Sequence, residues 1–109
     1  MSDAVKLVFV TVSGENVVRC TPDPAAVSGS NVLINFRLVT DGWVFPDSGA
    51  VVVSQPGSSF PYASWTLAPQ SAALLDTVES KGDYSYTVTV MHQASGRRLS
   101  IDPTIRNQD

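Results

Sequence analysis

Apolar and polar residues alternate with period two along most of this 109-residue chain. No stretch sustains a 3.6-residue apolar stripe over the roughly ten residues that a helix needs. From Asn31 to Thr40, Val32, Ile34, Phe36 and Leu38 share one face, and Leu33, Asn35, Arg37 and Val39 share the other. From Asp83 to Met91 the same rule sends Tyr84, Tyr86, Val88 and Val90 inward and Ser85, Thr87, Thr89 and Met91 outward. The opening run, Ala4 to Val12, is apolar on both faces: Val5, Leu7 and Phe9 oppose Val8, Val10 and Val12. Such a strand either packs on both sides or meets another chain.

The turn Ser13-Gly14-Glu15-Asn16 leads to a short strand, Val17 to Cys20, and predicts a hairpin. Shorter strands are expected at Ala50 to Ser54, Ser64 to Leu67, Ala72 to Thr77 and Arg98 to Asp102. Ser71 to Leu75 is also compatible with one helical turn capped by Ser71, but strand is the preferred reading. Clusters rich in Pro, Gly, Asp and Ser punctuate the rest, as at Thr21 to Pro24, Pro46 to Gly49 and Gln55 to Ser59. No internal repeat, low-complexity tract or linker divides residues 1–109, so one domain is expected. Seven to eight short strands joined by turns predict an all-β fold: an immunoglobulin-like antiparallel β-sandwich with Greek-key connections. Pro103 cannot donate to a ladder, so the last strand should stop there or lie on an edge. Beyond it, Ile105 is expected to dock while Arg106 and Asn107 bond a neighbouring loop, the alternative being a presented recognition tail.

Charge and composition then narrow the function. Seven Lys and Arg stand against ten Asp and Glu, a net charge of -3, with no basic field to meet phosphates. Nucleic-acid binding is not expected. No apolar stretch approaches the ~20 residues of a membrane span. The first residues lack the positively charged start of a secretory signal, and a cytoplasmic location is expected. A single Cys and a single His exclude an internal disulfide and the soft ligand sets of zinc or blue copper, so neither metal nor cofactor is expected.

Candidate chemistry is sparse. A nucleophilic triad has only His92 as its base, beside the polar loop Gln93 to Gly96, where a solvated loop histidine is the plainer reading. Neither Ser28-Gly29-Ser30 nor Gly57-Ser58-Ser59 completes a Gly-x-Ser-x-Gly elbow. Cys20 ends a strand, where a small buried hydrophobe is the common role of a free cysteine. Asp23, Asp41, Asp47 and Asp83 adjoin Pro or Gly in turns, where a short carboxylate bonds nearby amides. The run Asp76 to Asp83 is the nearest approach to a calcium loop and is far from an EF-hand. No enzymatic activity is expected.

One segment hints at binding. Between Gly42 and Leu67 lie Trp43, Phe45, Phe60, Tyr62 and Trp65, five of the nine aromatic residues. Trp43, Tyr62 and Trp65 are candidate ligand-binding residues for a small ligand or carbohydrate, against a structural role in capping the sandwich or burying a contact surface. The leading expectation is association, as a homo-oligomer or with a protein partner, through an exposed sheet face or edge.

Two resemblances follow from particular residues. Gly82-Asp83-Tyr84-Ser85-Tyr86 resembles the Gly-x-Tyr-x-Cys segment of immunoglobulin domains, where the tyrosine ties a loop corner to the backbone. Tyr84 would be the corner residue, and Tyr86 stands at the position of the family's second cysteine. In addition, Trp43-Val44-Phe45-Pro46, Val51-Val52-Val53, Phe60-Pro61, Gly82 to Val90 and the ending Ile101-Asp102-Pro103-Thr104-Ile105-Arg106-Asn107 together resemble the DP-EP family. These are small bacterial single-domain immunoglobulin-like proteins of uncharacterised function. The resemblance implies the sandwich fold and carries over no catalytic residues.

Overall fold

The alternation from Asn31 to Thr40 survives intact in the computed structural model of the chain, which describes residues 5–109. Val32, Ile34, Phe36 and Leu38 are buried, and the residues between them are partly or fully exposed. Eleven strands form among the described residues, and no helix does. They are β1 (Val5–Val12), β2 (Val18–Thr21), β3 (Ala25–Val27), β4 (Val32–Leu38), β5 (Trp43–Val44), β6 (Val51–Val53), β7 (Trp65–Ala68), β8 (Ser71–Asp76), β9 (Gly82–His92), β10 (Arg98–Ile101) and β11 (Thr104–Asn107). Ala4, the first residue of the expected opening strand, and the leader reading of residues 1–4 lie outside the described residues.

The strands make two sheets with one shared core. The first is ordered β2-β1-β4-β8-β7. The second is built on β9, with β10 and β11 along one side, β5 and β6 along the other, and β3 beyond β11. Val8, Val10, Ile34, Phe36 and Leu74 from the first sheet meet Tyr86, Val88, Val90 and Ile105 from the second. Each of these side chains contributes roughly 1.5–3 kcal/mol by leaving water.

Three expectations are corrected. The sheets are mixed rather than antiparallel, because β1 pairs parallel with β4 (Val8 opposite Phe36) and β11 pairs parallel with β3 (Ile105 opposite Ala25). Short-range alternation carries no information about such distant pairings. The strand count exceeds seven to eight, because β3, β5 and β11 are two to four residues long. Finally, β10 stops before Pro103, at Ile101, as expected, but pairing resumes beyond it in β11, where only a docked tail was expected. The proline has no N–H to donate, but its carbonyl accepts the Tyr86 N–H (3.1 Å), and the ladder resumes at Thr104.

The residues after Pro103 are docked. Ile105 is fully buried, Arg106 Nε donates to Asp83 Oδ1 at 2.8 Å, and Asn107 Nδ2 donates to the Ser80 carbonyl at 3.2 Å. Ser71–Asp76 is a strand, seated between β4 and β7. The hairpin after β1 closes as expected: the Asn16 N–H bonds the Ser13 carbonyl (3.0 Å), and Asn16 takes φ 64°.

Candidate functional site

The double-faced opening strand produces the most distinctive surface of the molecule. Within β1, Val8, Val10 and Val12 enter the core, while Val5, Leu7 and Phe9 remain 50%, 45% and 44% exposed on the outer face of the first sheet. Register extends this face sideways. Leu7 stands opposite Asn35 of β4, Asn35 opposite Ala73 of β8, and Ala73 opposite Trp65 of β7. One level below, Val5, Leu33 and Leu75 align in the same way. Trp65 is 46% exposed, and Leu67, at the irregular register of β7, is exposed beside it.

Among the polar residues on this face are Thr11, Asn35 and two arginines. Asn35 Nδ2 donates to Ser71 Oγ (3.0 Å) and to the Ala72 carbonyl (3.1 Å), so its amide is bound within the sheet. Arg37, opposite Phe9 and Ser71, and Arg19, opposite Thr11, are exposed. Neither makes a salt bridge among the described residues.

The three aromatic residues singled out from sequence are not brought together. Tyr62 and Trp65 do pair, with ring centroids 6.2 Å apart and both rings exposed. Trp43 is only 7% exposed: it belongs to the second sheet, its ring lies 5.0 Å from that of His92, and the Arg97 guanidinium sits 6.0 Å from its centroid. Phe45 and Phe60 are also buried. Composition marks aromatic density but not its direction, so Trp43 and Trp65 look alike in sequence. Beside Tyr62 an apolar cleft of about 320 Å³ opens between Val51, Val53, Pro56, Phe60 and Leu74.

His92 is half-buried at the end of β9 rather than in the loop, and its Nδ1 lies 2.9 Å from Ser95 Oγ. Ser95 Oγ also accepts the Arg97 N–H at 3.2 Å, which marks it as a turn-forming serine. No carboxylate bonds the His92 ring among the described residues, so the imidazole lacks the orienting acid of a triad. Cys20 is buried, and burial pushes its thiol up to about 11, an effect increased by Asp23 and opposed by Tyr86. The Tyr86 hydroxyl that faces it is raised by burial, then by Cys20 and Asp23, and has no well-aligned hydrogen-bond partner. A thiol is a weak partner for such a hydroxyl. Tyr86 instead packs on Phe36, with centroids 5.6 Å apart.

A second polar cluster carries no signal in the local sequence. Asp76 is fully buried at the end of β8; its Oδ1 accepts the Val78 N–H (2.9 Å) and Asn107 Nδ2 (3.0 Å). The first of these bonds closes on Val78, which takes φ 60°, a left-handed conformation that a β-branched residue rarely adopts. Asp76 Oδ2 and Asn107 Oδ1 are both buried without a partner. Burial raises the Asp76 carboxyl, with Val78, Asn107 and Lys81 opposing. Nearby, the Tyr84 hydroxyl donates to the Ser80 carbonyl (3.3 Å) and lies 3.3 Å from Ser59 Oγ, which accepts the Ser80 N–H (3.0 Å). This is the loop-corner bond expected of Tyr84.

Among the described residues, no three His, Cys, Asp or Glu side chains come together to hold a metal ion, and no helix is long and apolar enough to cross a membrane. Asp23 Oδ1 accepts the Thr104 N–H (3.0 Å), and Asp83 pairs with Arg106, so these two carboxylates fix the C-terminal strand rather than only their own turns. No protein-family model matches the chain, and no curated protein matches it. The resemblance to the DP-EP family therefore rests on the quoted residues alone.

Proposed function

We propose that this protein is a non-enzymatic association module that works through the outer face of its first sheet. The observation that carries the reading is the row Val5, Leu7 and Phe9, each about half exposed on a strand whose opposite face is already in the core. Single exposed apolar residues are ordinary, but a contiguous apolar sheet face is uncommon on a monomer and marks contact surfaces. The same reading takes the sandwich as immunoglobulin-like and the chain as a DP-EP relative. The immunoglobulin-like part is supported by the Tyr84 corner bond to Ser80 and the burial of Tyr86 against Phe36 at the position of the missing disulfide; the DP-EP part rests on the sequence resemblance alone.

The test compares the wild type with a Leu7→Ser, Phe9→Ser, Trp65→Ser variant, all exposed positions. Light scattering across a wide concentration range and chemical cross-linking in lysate of the source cells should reveal association that the variant loses, at unchanged melting temperature. A wild type that stays monomeric throughout and yields no variant-sensitive cross-link overturns the proposal.

A second reading is favoured by the Tyr62–Trp65 pair standing beside the apolar cleft. It makes these two residues the platform of a small-ligand or carbohydrate site, without Trp43. Trp65 emission during a sugar and metabolite screen tests it, and an unresponsive screen removes it.

A further inference from the structure

We infer that the outer face of the first sheet takes a short apolar protein segment carrying carboxylates, and not a second copy of this chain. The inference rests on the association reading and names the chemistry of the partner.

The charges on the face set the first constraint. Arg19 and Arg37 are its charged side chains, and the strand positions aligned with them bear no Asp or Glu. Arg37 lies one level along the sheet from Arg19 and two strands away, which puts their Cα atoms about 12 Å apart at standard strand spacing and rise. They mark one end of the face, and the other end is apolar around Val5, Leu33 and Leu75. If two copies met symmetrically by this face, four guanidiniums would enter one interface without a counter-charge, because an isologous contact presents the same patch twice. Removing unpaired charges from water opposes such a contact. The chain is acidic overall, at -3, so the cationic end is a local feature and not the general character of the surface.

Size sets the second constraint. Five strands at about 4.8 Å spacing and about 20 Å of strand length give a face of roughly 20 by 24 Å in projection. A footprint of this extent is matched by a segment of several residues laid along the strands. At the centre of the face the Asn35 donors are engaged within the sheet, and its Oδ1 is left as an acceptor for an N–H of the covering segment.

The experiment selects a random peptide library displayed on phage against the immobilised wild type and against Arg37→Glu, with oligomeric state followed by sedimentation. Wild-type selections should enrich peptides combining large apolar residues with Asp or Glu, and these should bind Arg37→Glu about tenfold more weakly. Selections on Arg37→Glu should shift toward Lys and Arg. Phe9→Ser, with an unchanged circular dichroism spectrum, should abolish binding in both cases. Enrichment without charge bias overturns the inference and leaves the association reading standing. So does a wild-type dimer that Phe9→Ser converts to monomer. A monomer that enriches no peptide overturns both, as does one that binds only phosphatidylserine vesicles.

Discussion

Replacing Asp76 with Asn should stabilise the protein at neutral pH, although the residue is fully buried and makes two hydrogen bonds. The carboxylate offers only acceptors, and its Oδ2 and the facing amide's Oδ1 on Asn107 are both buried without a donor. An amide at this position keeps an oxygen for the Val78 N–H and for Asn107 Nδ2, and it supplies the missing donor in place of Oδ2. A buried polar atom without a partner costs about 1–3 kcal/mol. Relief of that penalty should raise stability by about 1–2 kcal/mol, or about 4–8 °C of melting temperature per kcal/mol in a chain of this size. The sign of the pH dependence follows from the raised carboxyl. Its neutral form is favoured by folding, so its contribution is fully present below the unfolded carboxylate pKa near 3.9 and is lost as pH rises through the higher folded value. Asp76→Asn should flatten that decline. Asp76→Ala should cost about 2–4 kcal/mol at low pH, because it strands the Val78 N–H and the Asn107 amide, and less at neutral pH, where the wild type has itself lost stability to the buried carboxylate. Urea and thermal unfolding from pH 3 to pH 8 measure all three proteins. If Asp76→Asn loses as much stability as Asp76→Ala at neutral pH, or keeps the wild-type pH profile, the orphaned oxygens do not govern this corner.

Two further outcomes follow from the fold. Deleting residues 103–109, or replacing the fully buried Ile105 with Ala, should lower stability; for the substitution the loss is about 2–4 kcal/mol. Unchanged melting would mean that the tail is not docked as described. Cys20, its thiol raised to about 11 by burial, should resist thiol reagents at pH 8 in the folded protein and react promptly in denaturant. Because folding favours the neutral thiol, stability should hold below pH ~8.5 and fall at higher pH toward the folded value, by at most about 1.4 kcal/mol per pH unit. Rapid labelling of the folded protein would contradict the burial.

The long strands were legible because each has one face in the core and one outside it, which imprints period two on the sequence: β4 and β9 were both readable in this way. The exposed row on β1 was legible for a related reason, since a strand with apolar residues on both faces has one face left over after the core is filled. Other features depend on partners far away in the chain. The three residues of β3 carry too short a pattern to stand out between Pro24 and Gly29, and they become a strand only through β11. Pro103 looks like a terminator, but it loses nothing where only its carbonyl is used. Parallel pairing of β1 with β4 leaves no mark on either strand alone. At the candidate site, aromatic clustering identified Tyr62 and Trp65 but also drew in Trp43, whose burial depends on contacts with His92 and Arg97. Asp76 and Asn107 are 31 residues apart, and neither has a neighbour in sequence that signals the other.

The closure of the second sheet sets an order of events during synthesis. Ala25 finds its ladder partner only in Ile105, and the Asp23 carboxylate waits for the Thr104 amide 81 residues later. Contacts of such span are formed late and slow folding. While the polypeptide is still being made, β3 therefore has an open edge on the β11 side, and β9 lacks that flank until Thr104–Asn107 have left the ribosome. A nascent or C-terminally clipped molecule consequently displays unpaired backbone beside the solvent-facing apolar row of β1, the combination that most invites chains to pair with one another.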